Sequence, residues 1–139
     1  MRHLKSGFKL GRKPDHRKSL LRNLTASMIE KNRIETTLAK AKAVKPIVEK
    51  MITMGKSGHL SDKRNAMSYL YKRKTVQILF DELAPRFMDR KGGYTRIIKT
   101  DFRKGDGAEM AILEFTDYVF ESKEKKDKSK AKAKAKAKK

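Results

Sequence analysis

Apolar side chains recur at helical spacing in the first part of the chain. Those that share one face of a helix are Leu20, Leu21, Leu24 and Met28. Asp15 follows a proline and suits an N-cap, so we predict a helix from about His16 to Lys31. The β-branched residues of the next stretch, Arg33–Thr37, favour a short strand.

Three more helices are predicted between residues 38 and 85. The second has an apolar side formed by Leu38, Ala41, Val44, Val48 and Met51 or Ile52. Pro46 lies inside this pattern and removes a backbone hydrogen bond, which predicts a kink or a split. Residues 55–62, "GKSGHLSD", are expected to form a loop. A third helix then begins at Ser61 or Asp62 with Tyr71 among its apolar residues, and a fourth ends before Pro85.

The pattern changes to that of strands near residue 94. Residues 94–102 and 108–118 are rich in aromatic and β-branched side chains, and "GDG" at 105–107 is strong turn chemistry, so we predict a β-hairpin. On the second strand Ala111, Leu113 and Phe115 share one side, whereas Glu114 and Thr116 lie on the other. A hairpin alone is marginally stable, so the strand at 33–37 is expected to join it. The predicted fold class is α+β, with a small three-stranded sheet packed against about four helices and basic N- and C-terminal extensions.

Charge divides the chain into three segments. The 139 residues include 37 lysines and arginines against 16 acidic residues, a net charge of +21. Residues 1–15 carry +4 without apolar periodicity, residues 16–120 carry +10, and residues 121–139 carry +7. We therefore predict a basic RNA-binding extension (1–15), a globular α+β domain (16–120) and a disordered Lys/Ala-rich tail (121–139), which has no large apolar residue to build a core.

This composition excludes several classes of protein. A charge of +21 predicts a polyanionic partner, nucleic acid before others. No apolar run approaches the length of a bilayer span, and none follows the first residues as in a signal peptide, so we expect a cytoplasmic protein without a membrane partner. Cysteine is absent, which excludes disulfides and thiolate ligands.

No catalytic, cofactor or metal site is predicted. "GKSGH" lacks the first glycine of a phosphate-binding loop, because Lys50 stands at that place. His3, His16 and His59 are far apart, with no carboxylate at ligand spacing. We therefore expect neither an enzyme nor a protein with a small-molecule substrate.

Basic and aromatic residues instead indicate RNA binding. In "RKGGYTRIIK", two glycines would let an RNA backbone come close, and Tyr94 and Arg96, two residues apart, would share one strand face for stacking and phosphate binding. Alternatively, Tyr94 packs on the core and Arg96 extends along the surface. The predicted RNA-binding residues, drawn from the extension, the first two helices and the hairpin, are Arg2, His3, Lys5, Lys9, Arg12, His16, Arg17, Arg22, Lys40, Lys42, Arg90, Tyr94, Arg96, Lys99 and Arg103.

Several motifs together resemble one known family. They are "MRHLKSG" at the start, "HR" at 16–17, "RN" at 22–23, "TTLAKAK" at 36–42, "GGYTRI" at 92–97, and "RKGD" at 103–106. In their order and spacing over residues 1–118 the chain resembles the bacterial large-subunit ribosomal protein family seventeen. It departs from the family at Ala39, where a proline is common, and in its lysine-rich tail.

The resemblance implies an α+β fold and a place in the large ribosomal subunit near the nascent-chain exit. It also implies large-subunit ribosomal RNA and neighbouring ribosomal proteins as partners, with a structural role in translation. The alternative is a nucleoid-type DNA-compacting protein, for which a Lys/Ala tail would be typical. Against this alternative, no helix has the features of a base-reading recognition helix.

Overall fold

The computed structural model describes residues 7–118, and helices make up most of its first two thirds. Three longer helices are α1 (Pro14–Lys31), α2 (Leu38–Ser57) and α3 (Leu60–Leu70). A further helical run consists of α4 (Arg73–Gln77), a π-helical segment (Ile78–Leu83) and the single turn α5 (Ala84–Arg86). The predicted features of residues 1–6 and 119–139, which include the whole tail, lie outside the described residues.

The three strands form one antiparallel sheet. They are β1 (Arg33–Thr37), β2 (Thr95–Phe102) and β3 (Glu109–Phe115), in the order β1-β3-β2. The predicted hairpin is confirmed as β2 and β3, and the short strand after α1 pairs with β3, as expected. Gly105 and Gly107 both have positive φ in the connecting turn, which the main-chain bond from Arg103 N–H to the Ala108 carbonyl closes at 2.9 Å.

Helix α2 is the centre of the core. Its buried side consists of Leu38, Ala41, Val44, Val48, Met51, Ile52 and Gly55. It packs against α1, α3, the 78–86 helical segment and the inner face of the sheet, where Ala111, Leu113 and Phe115 are buried as predicted. A Cβ atom at Gly55 would lie 3.0 Å from the Cβ of Ala84, so glycine lets α2 and α5 approach closely. The fold is therefore the predicted α+β arrangement of a three-stranded sheet against helices.

Two helix boundaries differ from the predictions, at the start of α1 and between α2 and α3. Pro14, rather than His16, begins α1, and the N-cap is Lys13 instead of Asp15. The fixed φ of proline suits the first helical position, and Asp15 stabilises the first turn through its charge. The predicted loop at 55–62 is also wrong, since only Gly58 and His59 separate α2 from α3.

Pro46 does not split α2, and the last helical run does not end before Pro85. Pro46 lies on the exposed side of α2, which is assigned as one helix from Leu38 to Ser57. The lost hydrogen bond costs about 3 kcal/mol, but each large apolar residue buried on the opposite side contributes about 1.5–3 kcal/mol, so the helix is not split. Pro85 lies in the first positions of α5, where its missing N–H is tolerated.

Candidate nucleic-acid interface

The side of the molecule formed by the N-terminal segment, α1 and α2 carries a basic cleft. We use this name for the open cavity of about 510 Å³ lined by Gly7, Phe8, Lys9, Arg17, Leu21, Lys42, Ala43 and Pro46. Phe8, Leu21, Ala43 and Pro46 supply apolar walls, and the charged lining residues are all cations. The fold thus brings three predicted RNA-binding residues, Lys9, Arg17 and Lys42, around one concave surface.

These three cations form no ion pair within residues 7–118. Lys42 and Phe8 also line a second, adjoining cleft with Thr37, Leu38, Ala39, Ala108 and Glu109. His16 is exposed in the first turn of α1, and Lys40 is half-buried on α2. Unpaired cations beside apolar walls can bind phosphates while the walls contact sugar or base.

Arg12 and Arg22, also predicted to bind RNA, contact groups of the protein itself. One Nη of Arg12 donates to the carbonyl of Leu10 at 2.8 Å. Arg22 stacks on Tyr71, with its guanidinium carbon 4.3 Å from the ring centroid, and its Nη1 donates to the Tyr71 hydroxyl at 2.5 Å. The Nε atoms of both arginines are buried and lack a hydrogen-bond partner within residues 7–118.

The predicted pairing of Tyr94 and Arg96 on one exposed face is wrong. Tyr94 precedes β2 and is only 3% exposed, with its ring packed edge-on against Phe87 at 5.4 Å between centroids. Lys56 Nζ donates to its hydroxyl at 3.3 Å. The alternation of a strand does not extend to Tyr94, because the chain enters the sheet only at Thr95, so the ring turns into the core.

Arg96 is exposed, but it is held by a carboxylate. Its Nε lies 2.6 Å from Oε1 of Glu114, whose side chain is only 4% exposed. Arg33 binds the other oxygen of Glu114 at 3.5 Å, so one buried carboxylate lies between arginines of the two edge strands. Glu114 does point away from the inner face, as predicted, yet these arginines bury it.

We call residues 81–118 the hairpin end, and its other predicted RNA-binding residues are also mostly occupied. Arg90 donates to the hydroxyl of Thr116. Arg103 forms two bonds to Asp106, of 2.9 and 2.5 Å, and this pairing lowers the pKa of the Asp106 carboxyl to about 2. Lys99 is exposed on the edge strand β2 and makes no ion pair within residues 7–118.

Sequence reasoning missed one conspicuous side chain. Tyr71, predicted on the apolar side of the third helix, follows the end of α3 and is 67% exposed. Its partner Arg22 is 49 residues away, so no local pattern could have paired them. The basic run "KRK" at 72–74 was the available signal. Arg2, His3 and Lys5, also predicted to bind RNA, lie outside the described residues.

Residues 7–118 contain neither a metal-binding cluster nor a membrane-spanning helix. No group of three or more histidine, aspartate or glutamate side chains is placed to hold a metal ion. None of the described helices is long and apolar enough to cross a membrane.

The chain is similar to known ribosomal proteins. Residues 20–116 match the family model described as ribosomal protein L17. A protein of Thermodesulfovibrio yellowstonii, named large ribosomal subunit protein bL17, is 56% identical over 124 residues, which are 89% of this chain and 93% of that protein. A protein of the same name from Acidobacterium capsulatum is 50% identical over 125 residues, 90% of this chain and 78% of that protein. Another protein of this name, from Fusobacterium nucleatum, is 53% identical over 114 residues, which are 82% of this chain and 98% of that protein.

Proposed function

The chain belongs to the ribosomal protein L17 family, and from this premise we propose that it binds and stabilises ribosomal RNA in the large subunit through the basic cleft. As a member of this family it is a structural constituent of the cytoplasmic ribosome, not an enzyme. Its proposed partners are large-subunit ribosomal RNA and neighbouring ribosomal proteins. The proposed position near the nascent-chain exit is supported by family membership alone.

The observation that carries the proposal is the convergence of three cations on one cavity that no acidic side chain of residues 7–118 lines. Lys9, Arg17 and Lys42 converge from three segments of the chain, and no acidic residue lines the cavity with them. Each cation that meets a phosphate releases condensed counterions, which favours binding and makes the affinity depend on salt. We extend the proposal to residues 1–15, whose basic groups precede the cleft, with Arg2, His3 and Lys5 among the RNA contacts.

A double variant tests the role of the cleft. We expect Arg17→Ala/Lys42→Ala to lower the magnitude of the slope of log affinity against log salt by about 1.4–1.8, since each contact contributes roughly 0.7–0.9. The matched control is Lys91→Ala/Lys104→Ala, which removes two exposed cations at the hairpin end. Filter binding to large-subunit ribosomal RNA at several salt concentrations measures the slopes. Equal slopes for the two double variants would contradict the assignment of the cleft.

The ribosomal partner is tested separately from the cleft. In a cell lysate washed at high salt, we expect the protein to sediment with the large subunit. In a competition assay, ribosomal RNA should displace the protein from duplex DNA. Preferential retention on duplex DNA, together with absence from washed subunits, would favour the nucleoid-type alternative instead.

A further inference from the structure

Arg22, Tyr69 and Tyr71 form a stacked group that the basic cleft does not include. The guanidinium carbon of Arg22 lies 4.3 Å from the ring centroid of Tyr71 and 5.3 Å from that of Tyr69. Tyr69 is half-buried, and burial raises the pKa of its phenol. Tyr71 contacts no other aromatic ring or cation within residues 7–118. Its ring is therefore supported on one side by Arg22 and open to solvent on the other.

The backbone at Tyr71 is in an unusual conformation that holds this ring outward. Its φ is 59° and its ψ is −30°, a left-handed region that bulky residues rarely adopt. The Tyr71 N–H donates to the Met67 carbonyl at 3.0 Å, and the next N–H, of Lys72, donates to the Leu70 carbonyl at 2.7 Å. Strain of this kind is tolerated where a side chain must be presented, and here it presents a ring that is 67% exposed.

Exposed cations lie next to Tyr71 in the chain. Lys72, Arg73 and Lys74 follow Tyr71 directly, and all three are exposed. Lys72 lies 4.0 Å from Glu30, whereas Arg73 and Lys74 form no ion pair within residues 7–118. On α1, Lys18 is exposed one turn before Arg22 and lies on the same side of the helix. An aromatic platform with flanking cations is the arrangement that binds single-stranded nucleic acid.

We propose that Tyr71 stacks on an unpaired RNA base, while Arg73 and Lys74 bind the phosphates beside it. Arg22 stiffens the ring from behind and adds positive charge to the stack. This inference rests on the proposed function, because it takes RNA as the partner, but its residues are distinct from those that line the basic cleft. It predicts a contact that depends on a base as well as on phosphate.

A fluorescence experiment tests the stacking directly. The chain has no tryptophan, so Tyr71→Trp introduces a single one at the site. We expect a short single-stranded oligoadenylate to quench its emission in a saturable manner, because a stacked base lies against the indole. A matched control is Phe102→Trp, since Phe102 is 68% exposed at the hairpin end, and its emission should change much less.

Affinity measurements and an abasic probe complete the test. Tyr71→Leu keeps a side chain at the strained position but removes the ring, and we expect oligoadenylate to bind it about 5- to 100-fold more weakly. Thermal melts of each variant confirm that the fold is retained. An abasic oligonucleotide of the same length should bind weakly and should not quench Tyr71→Trp.

The possible results separate this inference from the proposed function. If Tyr71→Trp and Phe102→Trp are quenched equally, or the abasic probe quenches as well as oligoadenylate, the stacking contact is wrong. Unchanged affinity of Tyr71→Leu for ribosomal RNA would assign the ring to another partner, such as a neighbouring protein, and would overturn the inference while the cleft assignment stands. A wild-type protein that binds no RNA would contradict both.

Discussion

Residues 7–57 carry thirteen lysines and arginines and four acidic residues. Residues 81–118 carry seven lysines and arginines and eight acidic residues. The first region therefore has a net charge of +9 and the second of −1. Both contain residues that were predicted to bind RNA. In the first region Lys9, Arg17 and Lys42 line a cleft and form no ion pair within residues 7–118. In the second, Arg96 and Arg103 are paired with Glu114 and Asp106.

The difference shows that the type of side chain does not decide its role in this protein. An arginine beside a carboxylate is already neutralised, and moving it to a phosphate would leave the carboxylate unpaired. An unpaired lysine beside an apolar wall has no such cost. We infer that the hairpin end mainly stabilises the fold, and that the cleft side binds RNA.

The largest expected effect concerns Tyr94, which belongs to the core in this comparison. Tyr94→Ala removes a ring that packs on Phe87, which in turn lies 5.7 Å from Phe115, so we expect the free energy of unfolding to fall by about 3 kcal/mol. Urea denaturation measures this change. Affinity for ribosomal RNA, measured where the variant is still folded, should remain that of the wild type.

The control for this prediction is Tyr94→Phe. It keeps the ring and loses only the hydroxyl that Lys56 contacts, so its cost should be below about 1 kcal/mol. Were Tyr94→Ala to weaken RNA binding while leaving the unfolding free energy unchanged, the hairpin end would belong to the interface and the comparison would fail.

The next effect in size concerns the buried carboxylate of the sheet. Glu114→Gln leaves Arg33 and Arg96 without their shared charge, and we expect a loss of about 2 kcal/mol in stability. This value lies below that of a fully buried pair because the two arginine side chains are 28% and 51% exposed and are screened by water.

Glu109→Gln, on the same strand, is the matched control, because Glu109 is exposed and makes no ion pair within residues 7–118. Urea titrations of the two variants give the difference, and RNA affinity should not decrease in either. Equal stability losses would show that the carboxylate between the arginines has no special role.

A smaller effect on RNA affinity is expected when one lysine is removed from each region. Lys42 and Lys99 are both exposed and both lack an ion pair within the described chain, but only Lys42 lines the cleft. We expect Lys42→Ala to weaken binding to ribosomal RNA about fivefold, as for one phosphate contact, and Lys99→Ala to change it little. Filter binding at one fixed salt concentration suffices. A larger loss for Lys99→Ala would place the interface on the sheet edge.

The sequence could predict much of this fold because its signals are local. Leu21, Leu24 and Met28 mark the inner side of α1, and the glycines at 105 and 107 mark the hairpin turn. The predictions from Pro46 and Pro85 failed because the effect of a proline on a helix depends on how the rest of that helix packs. Pro46 remains within α2 because Val44 and Val48, on the other side, are fully buried against the core.

The candidate site was predictable in composition but not in geometry. Basic residues near the start indicated RNA, yet nothing local shows that Lys9, Arg17 and Lys42 meet around one cavity. In the same way, the burial of Glu114 follows from the register of three strands, which places arginines on both sides of it. Alternation within one strand predicts the direction of a side chain, but not what neighbouring strands place beside it.

The smallest effect is a pH dependence confined to the hairpin turn. Arg103 holds the pKa of Asp106 at about 2, below its ordinary value of 3.8, mainly through their hydrogen bonds. A carboxyl whose pKa is lower in the folded state stabilises that state above its ordinary pKa, and the contribution is lost as the pH falls from about 4 to about 2. An NMR titration of the Asp106 carboxyl against pH should therefore give a protonation midpoint near pH 2. In Arg103→Ala the midpoint should rise toward 3.8. In Lys104→Ala it should stay low, because Lys104 is a neighbouring cation that forms no ion pair within residues 7–118. A midpoint near 3.8 in the unaltered protein would show that Arg103 is not bound to Asp106 in solution. Arg103 would then be available to RNA, and the hairpin end would resemble the cleft more than the comparison allows.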